Sequence, residues 1–196
     1  MTDPVSAASA KAAIRVLILA RRRTLSAASI AEASGAIQRR VLALAEFAAA
    51  QSVFCYLAMR QEVQTDLLVA TCLKLGKRLC VPAYDRQRGQ YAPAWLNESD
   101  ALRVVPGKPP EPEVARWAAL ERLDLALVPG VAFDGCGARI GHGAGHYDAL
   151  LKAPVRVGLK VGLAFDCQIV DRIPTEAHDV RMNAIVTEKT VYRVKE

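Results

Sequence analysis

Aromatic side chains are few: 6% of the 196 residues, in a chain that is 52% hydrophobic. The core must therefore come mainly from Val, Leu, Ile and Ala. No basic stripe is interleaved with aromatics, and no zinc-finger or sheet-aromatic motif is present, which argues against a nucleic-acid partner. Histidine occurs three times, with no persuasive Ser/His/Asp or Cys/His arrangement for nucleophilic catalysis. The five cysteines (55, 72, 80, 136 and 167) are odd in number and contain no Cys-x-x-Cys pair, so a reducing cytoplasm is the expected compartment. No apolar run approaches the roughly 18 residues of a spanning helix. The arginines near the N-terminus follow the apolar 14–20 stretch, the reverse of a secretory signal. No membrane partner is expected. Internal repeats, low-complexity tracts and linkers are also missing, so residues 1–196 are expected to form one domain.

The charge that is present is uneven. Net charge is +6, and residues 1–50 hold seven Lys/Arg against three acids. Such a balance suits an anionic small molecule.

The most informative stretch runs from Phe133 to Asp148, where five glycines fall within eleven positions. It follows the apolar run Leu125-Ala126-Leu127-Val128 and Pro129-Gly130, and precedes Ala149-Leu150-Leu151, so it reads as a loop between a strand and a helix. Glycines are costly to order and bring bare N–H groups together, and a helix starting near Gly145 would add its positive end. Phosphate is the ligand this chemistry favours. Arg139 offers a charged fork and Asp148 a carboxylate for a nucleotide-bound magnesium ion. Gly141-x-Gly143-x-Gly145 lacks the Gly-Lys-Ser/Thr ending of a Walker loop, and no acidic residue stands at dinucleotide spacing.

A helix is expected over 7–23, with Ile14, Leu17 and Ile18 on one face and Arg21, Arg22 and Arg23 at its C-terminal end. Lys11 and Arg15 share a face, either solvated or reaching for phosphates. Ser26 should cap a second helix running to about residue 49. A strand over 52–57, a helix from Thr65 or Asp66 to Leu75, and a strand over 78–81 form a parallel crossover unit. That unit puts Glu62 at the ligand-binding edge, as a surface glutamate or as an acceptor for a donor-rich heterocycle. Residues 91–95 should be an edge strand or flap, and 106–112 a stiff connector. Trp95 and Tyr84 have two readings, ligand stacking or packing. A short helix is expected over 113–120, followed by strands over 123–128, 155–159, 162–165, 184–187 and 191–194, the last at an edge.

The run Leu127-Val128-Pro129-Gly130-Val131-Ala132-Phe133-Asp134, continued by Gly137-Ala138-Arg139-Ile140-Gly141-His142-Gly143-Ala144-Gly145-His146-Tyr147-Asp148, resembles the signature of the 5-formyltetrahydrofolate cyclo-ligase family. The similarity extends through Lys11-x-x-Ile14-Arg15, Glu62-Val63-Gln64-Thr65, Glu111-Pro112 and His178-Asp179-x-x-x-Asn183-x-x-x-Thr187-Glu188. The resemblance implies a three-layer α/β/α, Rossmann-like sandwich with a mostly parallel sheet. It also implies ATP- and Mg²⁺-dependent closure of 5-formyltetrahydrofolate to 5,10-methenyltetrahydrofolate with release of ADP and phosphate. Carried onto this chain, it makes Lys11, Arg15 and Arg139 phosphate contacts, with Lys11 and Arg139 acting on the transferred group. Gly141, His142, Gly143, Ala144, Gly145, His146 and Tyr147 would wrap the nucleotide, Asp148 and Asn183 would face the metal, and Glu62 with Tyr147 would bind folate. A monomer is expected, with a dimer left open.

The chain departs from the family pattern at His142, Ala144 and His146, and has Asn183 where an aspartate is common. An amide oxygen binds magnesium more weakly than a carboxylate. Two other readings stand beside the ligase. One is a relative with altered substrate, or one that binds nucleotide or folate without turnover. The other is a zinc-dependent hydrolase built on His142, His146 and Asp148.

Overall fold

Two serines start the helical layer. In this computed structural model, which describes residues 6–119, 121–143, 145–151 and 156–194, Ser6 Oγ accepts the Ser9 amide at the head of α1 (Ala7–Arg23). Ser26 does the same for Ser29 at the head of α2 (Ala27–Leu42), each satisfying an amide that lacks an intrahelical partner. A break at Ala43 and Leu44 separates α3 (Ala45–Ala49). Strand β1 (Ser52–Cys55) and helix α4 (Asp66–Lys74) follow. Thr65 does not cap α4 with its side chain: its hydroxyl donates to Tyr56 O, and Gln38 from α2 accepts the Leu67 and Leu68 amides instead.

The remaining elements are β2 (Arg78–Asp85), β3 (Gln90–Trp95), β4 (Leu102–Arg103), β5 (Glu111–Pro112), β6 (Arg116–Trp117), β7 (Arg122–Pro129), β8 (Ala132–Asp134), β9 (Arg139–Ile140), α5 (His146–Leu150), β10 (Arg156–Leu163), β11 (Ile169–Val170), β12 (Ala184–Val186) and β13 (Val191–Arg193). An eight-stranded sheet runs β13-β12-β10-β7-β1-β2-β3-β6. Its middle strands β12, β10, β7, β1 and β2 are parallel, β13 and β3 flank them antiparallel, and β6 pairs antiparallel with β3. The fold is thus α/β around a large, mostly parallel sheet.

Alternation along the central strands supplies both faces. Val53, Cys55, Leu79, Val81, Leu125 and Leu127 meet Ile37, Val41, Phe47 and Leu68 from α2, α3 and α4. Phe54, Cys80, Ala126, Val128 and Ile185 meet Phe133, Leu151 and Met182 on the other side. A separate small core joins Ile18 of α1 to Val131, Ala132, Ile140 and Ile173. It fastens α1 to the three-stranded sheet β11-β8-β9, each buried aliphatic contributing about 1.5–3 kcal/mol.

Three expectations need correction. Residues 113–119 form no helix: β5 precedes a bend, and Arg116 and Trp117 pair with Trp95 and Ala94 of β3, since Pro110 and Pro112 hold the approach extended. Leu120 lies outside the described residues. β10 is one strand rather than two. Val155 lies outside the described residues, and Gly162 sits in the ladder because the Phe133 ring covers it, 2.4 Å from where a Cβ would stand. Residues 91–95 do form a strand, β3, but not the outermost one, because β6 pairs with its end at Ala94 and Trp95; Tyr91, short of that pairing, lines the crevice. The edge strand at β13 is as expected. Among the described residues no helix is long and apolar enough to cross a membrane.

Candidate active site

β1 leads on to β2 on one side while its neighbour β7 leads on to β10 on the other, so the connections leave the carboxyl ends of these two strands in opposite directions and open a crevice between them. A cavity of about 270 Å³ occupies it. Met59 and Glu62 from the segment after β1, Arg139 from β9, and His142, Tyr147 and Asp148 from the glycine loop and α5 all line it.

Residues 56–65 hold Glu62 in place through their own hydrogen bonds. Tyr56 Oη donates to Val63 O at 2.7 Å, and Gln64 Nε2 donates to Met59 O at 3.1 Å and Glu62 O at 2.8 Å. Glu62 Oε2 accepts the Met59 amide at 2.9 Å, and Oε1 lies 3.9 Å from His142 Nε2. Burial pushes the Glu62 carboxyl above its ordinary pKa, against the lowering influence of the Met59 amide and of Arg22. Glu62 is thus a largely enclosed carboxyl group, its side chain 11% exposed, facing the loop.

The stretch from Phe133 to Asp148 is two devices. Its first half is a hairpin, β8 to β9, organised by buried Asp134. Oδ1 accepts the Cys136 and Ala138 amides, each at 2.9 Å, and Oδ2 accepts the Ile173 amide at 2.8 Å. Gly137, at φ +82°, passes so close to Met182 O that a Cβ would fall 2.3 Å from it, a place only glycine fits. The hairpin delivers Arg139, whose side chain is 2% exposed, into the crevice. Arg139 Nη2 donates to Asp148 Oδ2 at 2.9 Å, and its guanidinium carbon lies 5.8 Å from the Tyr147 ring centre. Arg139 Nε is buried without a partner among the described residues. Such an unsatisfied charged donor fits an anion in the crevice. Burial, reinforced by the charge of Glu62, pushes the Tyr147 hydroxyl well above its usual pKa.

The second half is the glycine loop, capped onto α5 by Gly145. Arg15 Nε donates to Gly141 O at 2.9 Å, fastening the loop to α1, and a Cβ at Gly143 would stand 4.0 Å from Arg15 Cζ. Ala144 lies outside the described residues. Lys11 Nζ donates to Glu176 Oε2 at 2.8 Å and Asp179 Oδ2 at 2.6 Å. Burial opposes its charge, but these bonds prevail and raise its pKa. Asn183 Oδ1 accepts the Lys160 amide at 2.9 Å, tying the start of β12 to β10.

His142 and His146 diverge. His142 faces Glu62, whereas His146 begins α5 and packs edge-on against Tyr91, with ring centres 4.9 Å apart. Among the described residues the cluster of possible metal ligands is Glu176, His178 and Asp179, so the zinc triad of His142, His146 and Asp148 does not assemble. Trp95 stands apart from the crevice, stacked under Arg78 with its guanidinium carbon 4.7 Å from the ring centre, while Tyr84 packs on Tyr91 at its outer rim. Gln168, Asp134 and Arg22 escaped sequence reasoning. Gln168 ties the chain after β7 by donating to Gly130 O and Val131 O, partners too distant in sequence to leave a local pattern.

Residues 7–188 match the 5-formyltetrahydrofolate cyclo-ligase family. The chain is 30% identical over 195 residues to the mouse 5-formyltetrahydrofolate cyclo-ligase, covering 94% of this chain and 96% of the relative. It is also 30% identical over 182 residues to the Escherichia coli K12 protein of the same name, covering 90% and 99%. The structure of Aquifex aeolicus 5,10-methenyltetrahydrofolate synthetase superposes with a TM-score of 0.81 at 33% identity, over 95% of this chain and 93% of that one. A synthetase of the same name from Mycoplasma pneumoniae shares the fold, with a TM-score of 0.71 at 21% identity, over 91% and 98%. With a match running from α1 to the residues after β12, the chain belongs to the 5-formyltetrahydrofolate cyclo-ligase family.

Proposed function

We propose that this chain, acting as a single domain over residues 1–196 and as a monomer in the cytoplasm, closes 5-formyltetrahydrofolate to 5,10-methenyltetrahydrofolate at the expense of ATP. The observation that carries this reading is the meeting, in one crevice, of a buried guanidinium with an unsatisfied N–H and the carboxyl group of Glu62. One suits a phosphate and the other a donor-rich pterin. Nucleic acid and membrane have no part in it.

The formyl oxygen takes the γ-phosphoryl group from ATP, breaking the bond to ADP. The folate N10 lone pair then adds to the formyl carbon, the carbon–oxygen bond to phosphate breaks, and N10 gives up its proton. No protein nucleophile is needed, only alignment and charge stabilisation. Arg139 takes phosphate oxygens. Lys11 keeps a third N–H beyond those given to Glu176 and Asp179, and Arg15 keeps donors beyond the one on Gly141, so both still have protons to offer phosphate. The amides of Gly141, Gly143 and Gly145 complete the cradle. Glu62 accepts hydrogen bonds from the pterin beside Tyr147. Asp148, already paired with a cation through Arg139, has the chemistry to hold Mg²⁺, which when bound supplies positive charge against the phosphate oxygens. Asn183 Oδ1 accepts the Lys160 amide and keeps a second lone pair with which to face the metal.

The test is a reaction of purified protein with 5-formyltetrahydrofolate, ATP and Mg²⁺, followed by the near-ultraviolet absorbance of the methenyl product and by ADP release. Product and ADP formed in step, and neither formed when ATP or Mg²⁺ is omitted, are expected. Nucleotide binding with no folate turnover would overturn the assignment.

A further inference from the structure

Between β11 and β12 the chain runs from Ile173 to Asn183 without helix or strand, yet it is fastened at both ends. The Ile173 amide donates to Asp134 Oδ2 and the Met182 amide to Gly137 O, each at 2.8 Å, so the hairpin that carries Arg139 holds the segment on either side. Its middle turns back at Glu176 and Asp179. There the Asp179 amide donates to Glu176 O at 3.0 Å, and Asp179 Oδ2 accepts the Glu176 amide at 2.7 Å. A turn closed by both bonds presents its side chains in fixed directions.

Those side chains meet Lys11. Its Nζ donates to Asp179 Oδ2 at 2.6 Å and to Glu176 Oε2 at 2.8 Å, across 168 and 165 residues of chain. The lysine and aspartate side chains are 12% and 15% exposed, and the glutamate 42%. An ammonium on a flexible stem has three donors, so two bonds to one turn settle where the third points. Burial works against the ammonium charge, and the two carboxylates outweigh it. One residue further on, the Val180 amide donates to Asp148 Oδ1 at 3.3 Å. The segment therefore touches both Lys11 of α1 and Asp148 of α5, and sets the spacing between them. Arg15, one helical turn after Lys11, reaches the glycine loop at Gly141 O, so Lys11 stands on the face of α1 that looks towards that loop.

We propose that Asp179, with Glu176, is a positioning residue for phosphoryl transfer: the turn aims the Lys11 ammonium at the nucleotide phosphates and fixes its place relative to Asp148. The proposal rests on the reading of Lys11 as a phosphate contact. Carboxylates that merely neutralised the lysine would compete with phosphate for it, and removing their charge would strengthen nucleotide binding. Carboxylates that align it have the opposite effect, because an ammonium released from them must be ordered again each time the nucleotide binds.

The test is the pair of changes Glu176→Gln and Asp179→Asn made together in the full chain, which keeps an oxygen acceptor at each position and removes both charges. It is compared with Lys11→Met and with all three changes combined. Calorimetry gives the affinity for Mg·ATP, and initial rates give kcat/KM for ATP and KM for 5-formyltetrahydrofolate. Removing both charges should weaken Mg·ATP binding and lower kcat/KM for ATP by about tenfold, the loss of one charge-assisted hydrogen bond, with KM for the folate unchanged. In Lys11→Met the same pair of changes should alter Mg·ATP affinity by less than about twofold, since residues that act through one group do not add. Equal or tighter ATP binding in the paired variant, with Lys11→Met impaired, overturns the aligning role and leaves the ligase reading intact. A loss as large in Lys11→Met as in the wild type also overturns it, marking the turn as structural. If Lys11→Met uses ATP as the wild type does, the phosphate reading of Lys11 falls and takes this role with it. Should the paired variant fail to fold, Glu176→Gln alone, at the more exposed side chain, carries the test. It should weaken Mg·ATP binding by about threefold or more in the wild type and not in Lys11→Met, and an unchanged affinity in the wild type overturns the proposal.

Discussion

Arg139 and Asp148 are joined at 2.9 Å across the crevice, but they are not equivalent partners: the arginine side chain is 2% exposed and the aspartate 25%. Asp148 can recover water if its partner is removed. Arg139 cannot, and a buried charge left alone is the expensive half of a broken pair.

The expected consequence is a split between stability and activity. Arg139→Met should reduce kcat/KM by at least about 30-fold, equivalent to roughly 2 kcal/mol of lost transition-state stabilisation, with little change in thermal midpoint. Asp148→Asn should cost roughly 1–3 kcal/mol of stability and so lower the midpoint more than Arg139→Met does. Thermal unfolding alongside steady-state kinetics checks both, and equal midpoints would count against the asymmetry.

Glu62→Gln keeps an oxygen for the Met59 amide but loses the charge. KM for 5-formyltetrahydrofolate should rise at least about tenfold, consistent with roughly 1.5–3 kcal/mol for hydrogen bonds to a charged group, while KM for ATP stays near its wild-type value. Initial rates with each substrate varied in turn decide the matter. A matched rise in both would point to a general loss of structure.

Asp134→Ala removes the acceptor shared by the Cys136, Ala138 and Ile173 amides. The Ala138 and Ile173 amides are buried, so at about 1–3 kcal/mol for each buried donor left unsatisfied the hairpin that carries Arg139 should be destabilised by about 2 kcal/mol or more. Chemical denaturation measures this, and amide exchange should locate the loosening in residues 132–140.

Asp124 links the start of β1 to β7, accepting the Gln51 and Ser52 amides and the Ser52 hydroxyl. Those Ser52 bonds hold its pKa below the usual carboxylate value. A depressed folded-state pKa adds stability above the unfolded carboxylate value, and that stability is lost as pH falls through the folded one. Asp124→Asn should therefore cost about 1–2 kcal/mol near neutrality and flatten the acid side of the stability curve below about pH 5. Denaturant midpoints collected across that range provide the comparison.

Much of this molecule is legible along the chain because it depends on near neighbours. Ser26 before the periodic run that becomes α2 and, past a break the periodicity did not show, α3, Gly76 after α4 and the apolar run of β7 each carry their own signal in spacing and composition. The glycine run likewise marked the neighbourhood that supplies half the crevice lining. The false helix over 113–120 has the complementary explanation. Its composition tolerates a helix, but the partner that makes it a strand is Ala94 and Trp95, and local pattern cannot report a partner that far away.

What the sequence by itself determined is the family, the α/β layering, and the identity of Arg139, Asp148 and Glu62 as groups able to handle a phosphate, a cation and a heterocycle. Only the tertiary structure decided which of these groups already bind one another. It committed Lys11 to Glu176 and Asp179, turned Asn183 to the Lys160 backbone and buried Arg22 at the end of α1. The reason is that residue type sets what a side chain can donate or accept, whereas burial and long-range neighbours set which of those capacities is used.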